Sequence, residues 1–253
     1  MSQSTESTTE SNPFTKPGFI IAAALVVALI AATIVIVLLP KGQGNAQPGP
    51  ESGEFAGSGA ESPSASAGAG ASVCGLPASS ETALGAAPET KWELVGKMAT
   101  PTEPETYGPG NTDVDGFRSC FSQSPTGALY AAANVIALAS SGDRAQNLKV
   151  AENLLIPGPG RDVALAEAKS KPATAAPSAT TVQFRGFIIK SYSSSAANVD
   201  LAFQTDKGLL GHVVVPLQWK DGDWKTAIAD SGDMINEISQ IRDLSGFIPW
   251  SGA

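Results

Sequence analysis

Trp219-Lys220-Asp221-Gly222-Asp223-Trp224 decides how this chain folds. Asp-Gly sits between two strand-like flanks, and both residues tolerate positive φ, so the stretch reads as a two-residue hairpin turn. Upstream, Leu210–Trp219 alternates, with Val213, Val215, Leu217 and Trp219 on one face. Trp224–Ala229 is the expected return strand. Further upstream, Asn198–Gln204 alternates through Val199, Leu201 and Phe203, and Thr181–Ser191 through Val182, Phe184 and Ile188. Gly211 marks an expected bulge. Pro216 predicts an irregular strand or an exposed backbone position there.

Ahead of these strands the period changes to helical. Ser124-Pro125 is a helix start, because Ser caps and Pro at the first helical position loses no needed hydrogen bond. The helix runs from Thr126 to about Ser140, with a stripe of Leu129, Ala132, Ala133, Ile136 and Ala137, and Gly142 ends it. A second helix starts near Asp143 and carries Leu148, Ala151, Leu154 and Leu155. Pro157-Gly158-Pro159-Gly160 reads as a rigid helix–helix connector. A third helix fits Arg161 to Lys169. Helices first and consecutive antiparallel strands afterwards indicate an α+β fold, with helices packed on one face of a curved sheet.

Outside this block the chain is irregular. Trp92, Leu94, Val95 and Met98 suggest a short extended segment, and Pro101, Pro104, Gly108, Pro109 and Gly110 are expected to break regular structure. A short helix is expected over Ser231–Arg242. The closing Leu244-Ser245-Gly246-Phe247-Ile248-Pro249-Trp250 is expected to dock on the domain.

The remainder is spacer and anchor. Residues 40–72 are built from Gly, Ser, Ala, Pro, Gln and Glu, with Phe55 as a lone large apolar residue, and read as a linker. As a flexible coil it would span roughly 30 Å. Gly18 to Leu39 is an uncharged apolar run, and a helix of about 22 residues crosses a hydrocarbon core of about 30 Å. The rival is a cleaved signal peptide, for which Gly44-Asn45-Ala46 could serve as the cleavage site. The run is longer than a signal core, and Lys16 is the sole basic residue before it, which favours an uncleaved transmembrane helix over 18–39. Residues 1–17, rich in Ser, Thr and Glu, form an expected disordered cytoplasmic tail.

Flanking charge leaves orientation open, with Lys16 on one side and Lys41 on the other. The two cysteines, Cys74 and Cys120, both follow the apolar run, and an even count suits an oxidising compartment. The expected placement is therefore the cell membrane, single-pass, N-terminus cytoplasmic and residues 73–253 extracytoplasmic. A Cys74–Cys120 bridge is favoured over two buried thiols. It would close a loop worth roughly 4 kcal/mol in the chain-entropy model.

A formal net charge of −8 argues against direct nucleic-acid binding and broad docking on anionic lipid. His212 is the single histidine. It could act as a general base, but a strand histidine is the plainer reading, and one histidine with two cysteines leaves no zinc site. Asp221 and Asp223 have a structural reason in the turn. Asp113 with Asp115, and Asp230 with Asp233, raise a weak cation suspicion. No catalytic set, metal or cofactor is expected. Trp250, foremost, with Phe247 and Trp224 are the candidate partner-contact residues, while core packing is expected for at least two of Trp219, Trp224 and Trp250.

Cys120-Phe121, Ser124 to Ala133, the Trp219–Lys225 hairpin and the closing Leu244–Trp250 together resemble membrane-anchored proteins of actinobacterial mobile elements and their phages. The order of elements and the Trp-x-Asp-Gly-x-Trp hairpin are also similar to the NTF2-like cone. Behind one span and a linker, that cone is the layout of VirB8-like and TcpC-like scaffold subunits of conjugation and type IV secretion machines. TcpC-like proteins commonly carry two such domains, and this chain has length for one. The resemblance implies a scaffold or assembly subunit contacting other membrane subunits of a transfer apparatus, and a homo-oligomer with a trimer favoured. The alternatives are a small-molecule-binding or isomerase-like cone, which needs His212 pointing inward, and a cell-envelope accessory protein of the Mce-associated type.

Overall fold

The structure, a computed structural model, describes residues 70–170 and 181–252. The apolar run 18–39, the tail before it and most of the expected linker lie outside the described residues. No helix among the described residues is long and apolar enough to cross a membrane.

The mixed α+β architecture is present. In chain order the elements are β1 (Lys91–Val95), β2 (Met98–Thr102), β3 (Asn111–Thr112), β4 (Arg118–Ser119), α1 (Pro125–Ala139), α2 (Arg144–Asn153) and α3 (Pro159–Ser170). Then follow β5 (Val182–Tyr192), β6 (Ala196–Thr205), β7 (Leu210–Lys220), β8 (Asp223–Thr226), β9 (Ser239–Gln240) and β10 (Ile248–Pro249). The main sheet has the order β10-β5-β6-β7-β8, with β9 taking the same edge of β7 as β8 but further along it. All of its pairings are antiparallel.

The hairpin forms as its sequence dictates. Asp221 and Gly222 both take left-handed φ, 53° and 75°, and Trp219 pairs with Trp224 across the turn. Helix α1 also starts as expected: Ser124 accepts from the Gly127 N–H, and Pro125 occupies the first turn. The helix is more deeply placed than a one-sided stripe implies. Only Ile136 and Ala139 escape burial, because α1 runs between the sheet and the β1–β2 hairpin. Its Asn134, fully buried, donates to the Pro101 carbonyl on that hairpin.

Four expectations need correction. Pro101 breaks nothing; it pairs with Trp92 inside β2. Gly211 forms no bulge. The β6–β7 ladder runs through it unbroken, and its missing side chain leaves room for the Phe203 ring, within 2.7 Å of where a Cβ would stand. The bulges are in β5, at Arg185 and Lys190. The Pro-Gly-Pro-Gly connector is only half connector, since Pro159 and Gly160 open α3. Ser231–Arg242 is not a helix. Gly232 sits at φ 88°, the Ala229 N–H is claimed by the Asp233 carbonyl, and the Ser231 hydroxyl donates to the Asp233 carboxylate. These local bonds compete with helical ones.

Pro216 sits in a regular strand. Its carbonyl accepts from the Ala227 N–H, just past the end of the β7–β8 ladder, so its absent donor falls where that ladder has stopped.

Candidate functional site

The pleat sorts the sheet into two faces. Val199, Leu201, Val213, Val215 and Leu217 face the helices and the core. Asn198, Asp200, Ala202, His212 and Val214 therefore face the other way. After β9, residues 241–247 cross this outer face to reach β10 on the opposite edge. The crossing is possible because Gly186, Ala202 and His212 lie in one cross-strand row, two of them small. The Phe247 Cβ occupies the space a Cβ on Gly186 would need, and its ring meets His212 edge-on at 6.1 Å. We call this segment the strap.

Beneath the outer face lies a charged cluster. His212 Nδ1 is 2.8 Å from Asp200 Oδ1, and Lys190 Nζ is 3.1 Å from Asp200 Oδ2. The Asp200 carboxylate is almost wholly buried, whereas about a quarter of the His212 side chain is exposed. The β5 bulge is what aims Lys190 at it. Sequence reading singled out His212 and passed over both partners. An aspartate inside the apolar run Asn198-Val199-Asp200-Leu201-Ala202-Phe203 was the available signal. The dyad faces away from the helices, which removes His212 as a base inside any cavity on the helix side.

Where the chain comes into the domain, the hold is different. Cys74 and Cys120 are disulfide-bonded. Ser72, the last residue assigned to the linker, is already buried, and its hydroxyl accepts from the Leu76 N–H. The Val73 N–H donates to the Gly222 carbonyl in the hairpin turn. Asp223 completes the arrangement. Its buried carboxylate accepts from the backbone N–H groups of Cys120, Phe121 and Trp224 at 2.9–3.0 Å. That support suits Cys120, whose φ of 65° is unusual for a non-glycine residue. The hairpin aspartate expected to serve the turn alone thus pins a segment a hundred residues away.

Of the three aromatic contact candidates, two are withdrawn from the surface. Trp250 is buried against Trp92, Tyr130, Phe184 and Phe187, and its N–H groups reach the Arg185 carbonyl and the Thr90 hydroxyl. Trp224 is buried between Trp219 and Tyr192, with Nε1 donating to the Ser122 carbonyl. Both fill the core, where each indole satisfies its N–H. Phe247, half-buried on the strap, is the candidate still at the surface.

At the Asp113–Asp115 pair a lysine takes the cation's place. Lys149 Nζ stands 2.7 Å from Asp113 and 2.8 Å from Asp115, where a bound ion would be. Its hydrogen bonds hold the Asp115 carboxyl below the usual range. Among the described residues no group of three or more potential ligands comes together.

A family model matches residues 55–249, described as a domain of unknown function, DUF8175. The chain belongs to that family. Nothing among the curated proteins and nothing among the solved structures matches it. The matched range takes in the disulfide, Asp223, the Asp200–His212 pair and the strap.

Proposed function

We propose that the chain is a single-pass membrane scaffold or assembly subunit, of the kind found in conjugative transfer or type IV secretion machines. Its α+β domain, read as an NTF2-like cone, stands outside the membrane and acts through protein–protein contacts. One observation carries the reading most of the way: the point where the linker joins the domain is fastened three times, by the Cys74–Cys120 disulfide, by Val73 on the hairpin and by the Asp223 carboxylate. A domain that must transmit position or pull from a tether needs a junction that does not fray. A disulfide there also fits an oxidising compartment.

The test is the mass of the full chain, extracted in mild detergent, by light scattering with and without reductant. A closed oligomer, a trimer above all, or a stable complex with other membrane subunits supports the proposal. A strict monomer that cross-links to no membrane protein in the producing cells overturns it.

A further inference from the structure

Between the helices and the helix-side face of the sheet is an open cavity of about 180 Å³. Val215 forms its floor, and Met234, brought over by the loop after β8, stands at its rim. It exists because α2 and α3 present alanines, Ala151, Ala164 and Ala168, where longer side chains would close the space.

Three polar residues are among the lining: Thr226 of β8, Asn147 of α2, half-buried, and Glu167 of α3, exposed to solvent. Thr226 is buried. Its backbone N–H goes to the Leu154 carbonyl and its own carbonyl to the Ile156 N–H. Its hydroxyl, the Asn147 amide and the Glu167 carboxylate have no hydrogen-bonding partner among the described residues. An apolar pocket with a few convergent polar groups is the general form of a small-ligand site.

We propose that this cavity binds a small amphiphilic amine: an apolar body of about one aromatic ring, with an ammonium group facing Glu167. Size sets the body, since a cavity of about 150 Å³ accommodates benzene. Charge sets the head, because the lining carries a carboxylate and no cation, on a chain of formal net charge −8. Asn147 and Thr226 supply further acceptors. This inference stands apart from the scaffold reading, since it concerns the helix side of the sheet and needs no partner protein.

The experiment is hydrogen-exchange mass spectrometry on the full chain in lipid nanodiscs, titrated with benzylamine, benzyl alcohol and benzoate. Benzylamine slows exchange in α2, α3 and residues 226–234, benzyl alcohol does so more weakly, and benzoate does not. Glu167→Gln weakens benzylamine about threefold, the scale of a solvent-exposed ion pair, and leaves benzyl alcohol nearly unchanged. Ala168→Leu fills the space and abolishes the response to both. Its exchange elsewhere reports whether it has folded, and Thr226→Val, which keeps the shape, weakens binding without that risk. Three results overturn the site: no local protection by any probe, unchanged benzylamine binding in a folded Ala168→Leu variant, or a preference for benzoate.

Discussion

Residues 72–76 are held by a disulfide to Cys120, whose own backbone N–H donates to the buried Asp223 carboxylate, whereas residues 247–250 are held by a buried indole and a two-residue strand. The first hold is covalent and directional. The second is mostly area removed from water. Both segments end at the same small core, yet they should fail in different ways. A covalent link stabilises chiefly by restricting the unfolded chain. An apolar plug stabilises the native state alone, and losing it first frees the segment it anchors.

Trp250 offers the largest test. Trp250→Ala removes a side chain that touches β5, α1 and the β1 strand together, at a cost of about 3–5 kcal/mol. Exchange mass spectrometry should show the strap and β10 opening before the helices do. If all segments loosen together, the C-terminal hold is not a separable element.

Replacing both cysteines, Cys74→Ser with Cys120→Ser, comes next, at about 3–4 kcal/mol in the loop-entropy model. The midpoint of thermal unfolding falls, but native exchange in the strap stays as it was. Strap exchange that rises on reduction would show that the two ends are coupled through the core.

The hairpin, the helix starts and the strand faces were legible because each rests on neighbours in sequence: Asp221-Gly222, Ser124-Pro125, and the alternation of β6 and β7. What stayed hidden depends on distant partners. Asp223 reads as a turn residue until Cys120 and Phe121 are brought to it. Trp250 reads as a surface aromatic until Tyr130 and Phe187 enclose it. Gly211 invites a bulge until the Phe203 ring is seen to need the space. The Asp200–His212–Lys190 cluster needed a β5 bulge, and no local pattern announces one.

Asp223→Asn probes the directional hold without breaking the covalent one. Three backbone N–H groups lose a charged acceptor, and one of them now faces an amide NH₂. That costs about 2–3 kcal/mol. The disulfide should still form, measured as the absence of free thiol in the folded variant. Free thiol would mean that the carboxylate, by supporting Cys120 at positive φ, is required before the bridge can close.

The smallest effect at neutral pH, and the one that separates the two holds by chemistry, belongs to Tyr130. Its hydroxyl shares the Thr90 Oγ1 acceptor with the Trp250 indole, so it belongs to the C-terminal hold. Burial raises its pKa from 10.0 to about 12, only partly offset by the hydrogen bond to Thr90. The neutral phenol is the form the fold accepts. A group whose folded pKa lies above its unfolded value contributes fully below the unfolded value and loses that contribution as pH rises through the folded one. The C-terminal hold should therefore weaken between pH 10.0 and about 12, through the phenol that the fold keeps neutral. Tyr130→Phe costs about 1 kcal/mol at neutral pH, the net worth of one hydrogen bond. It should also flatten the alkaline decline, followed as strap exchange or as the denaturant midpoint against pH. An unchanged alkaline slope in Tyr130→Phe would assign the decline to other groups. The aromatic hold would then be insensitive to pH, and the contrast between the two ends would be sharper than drawn.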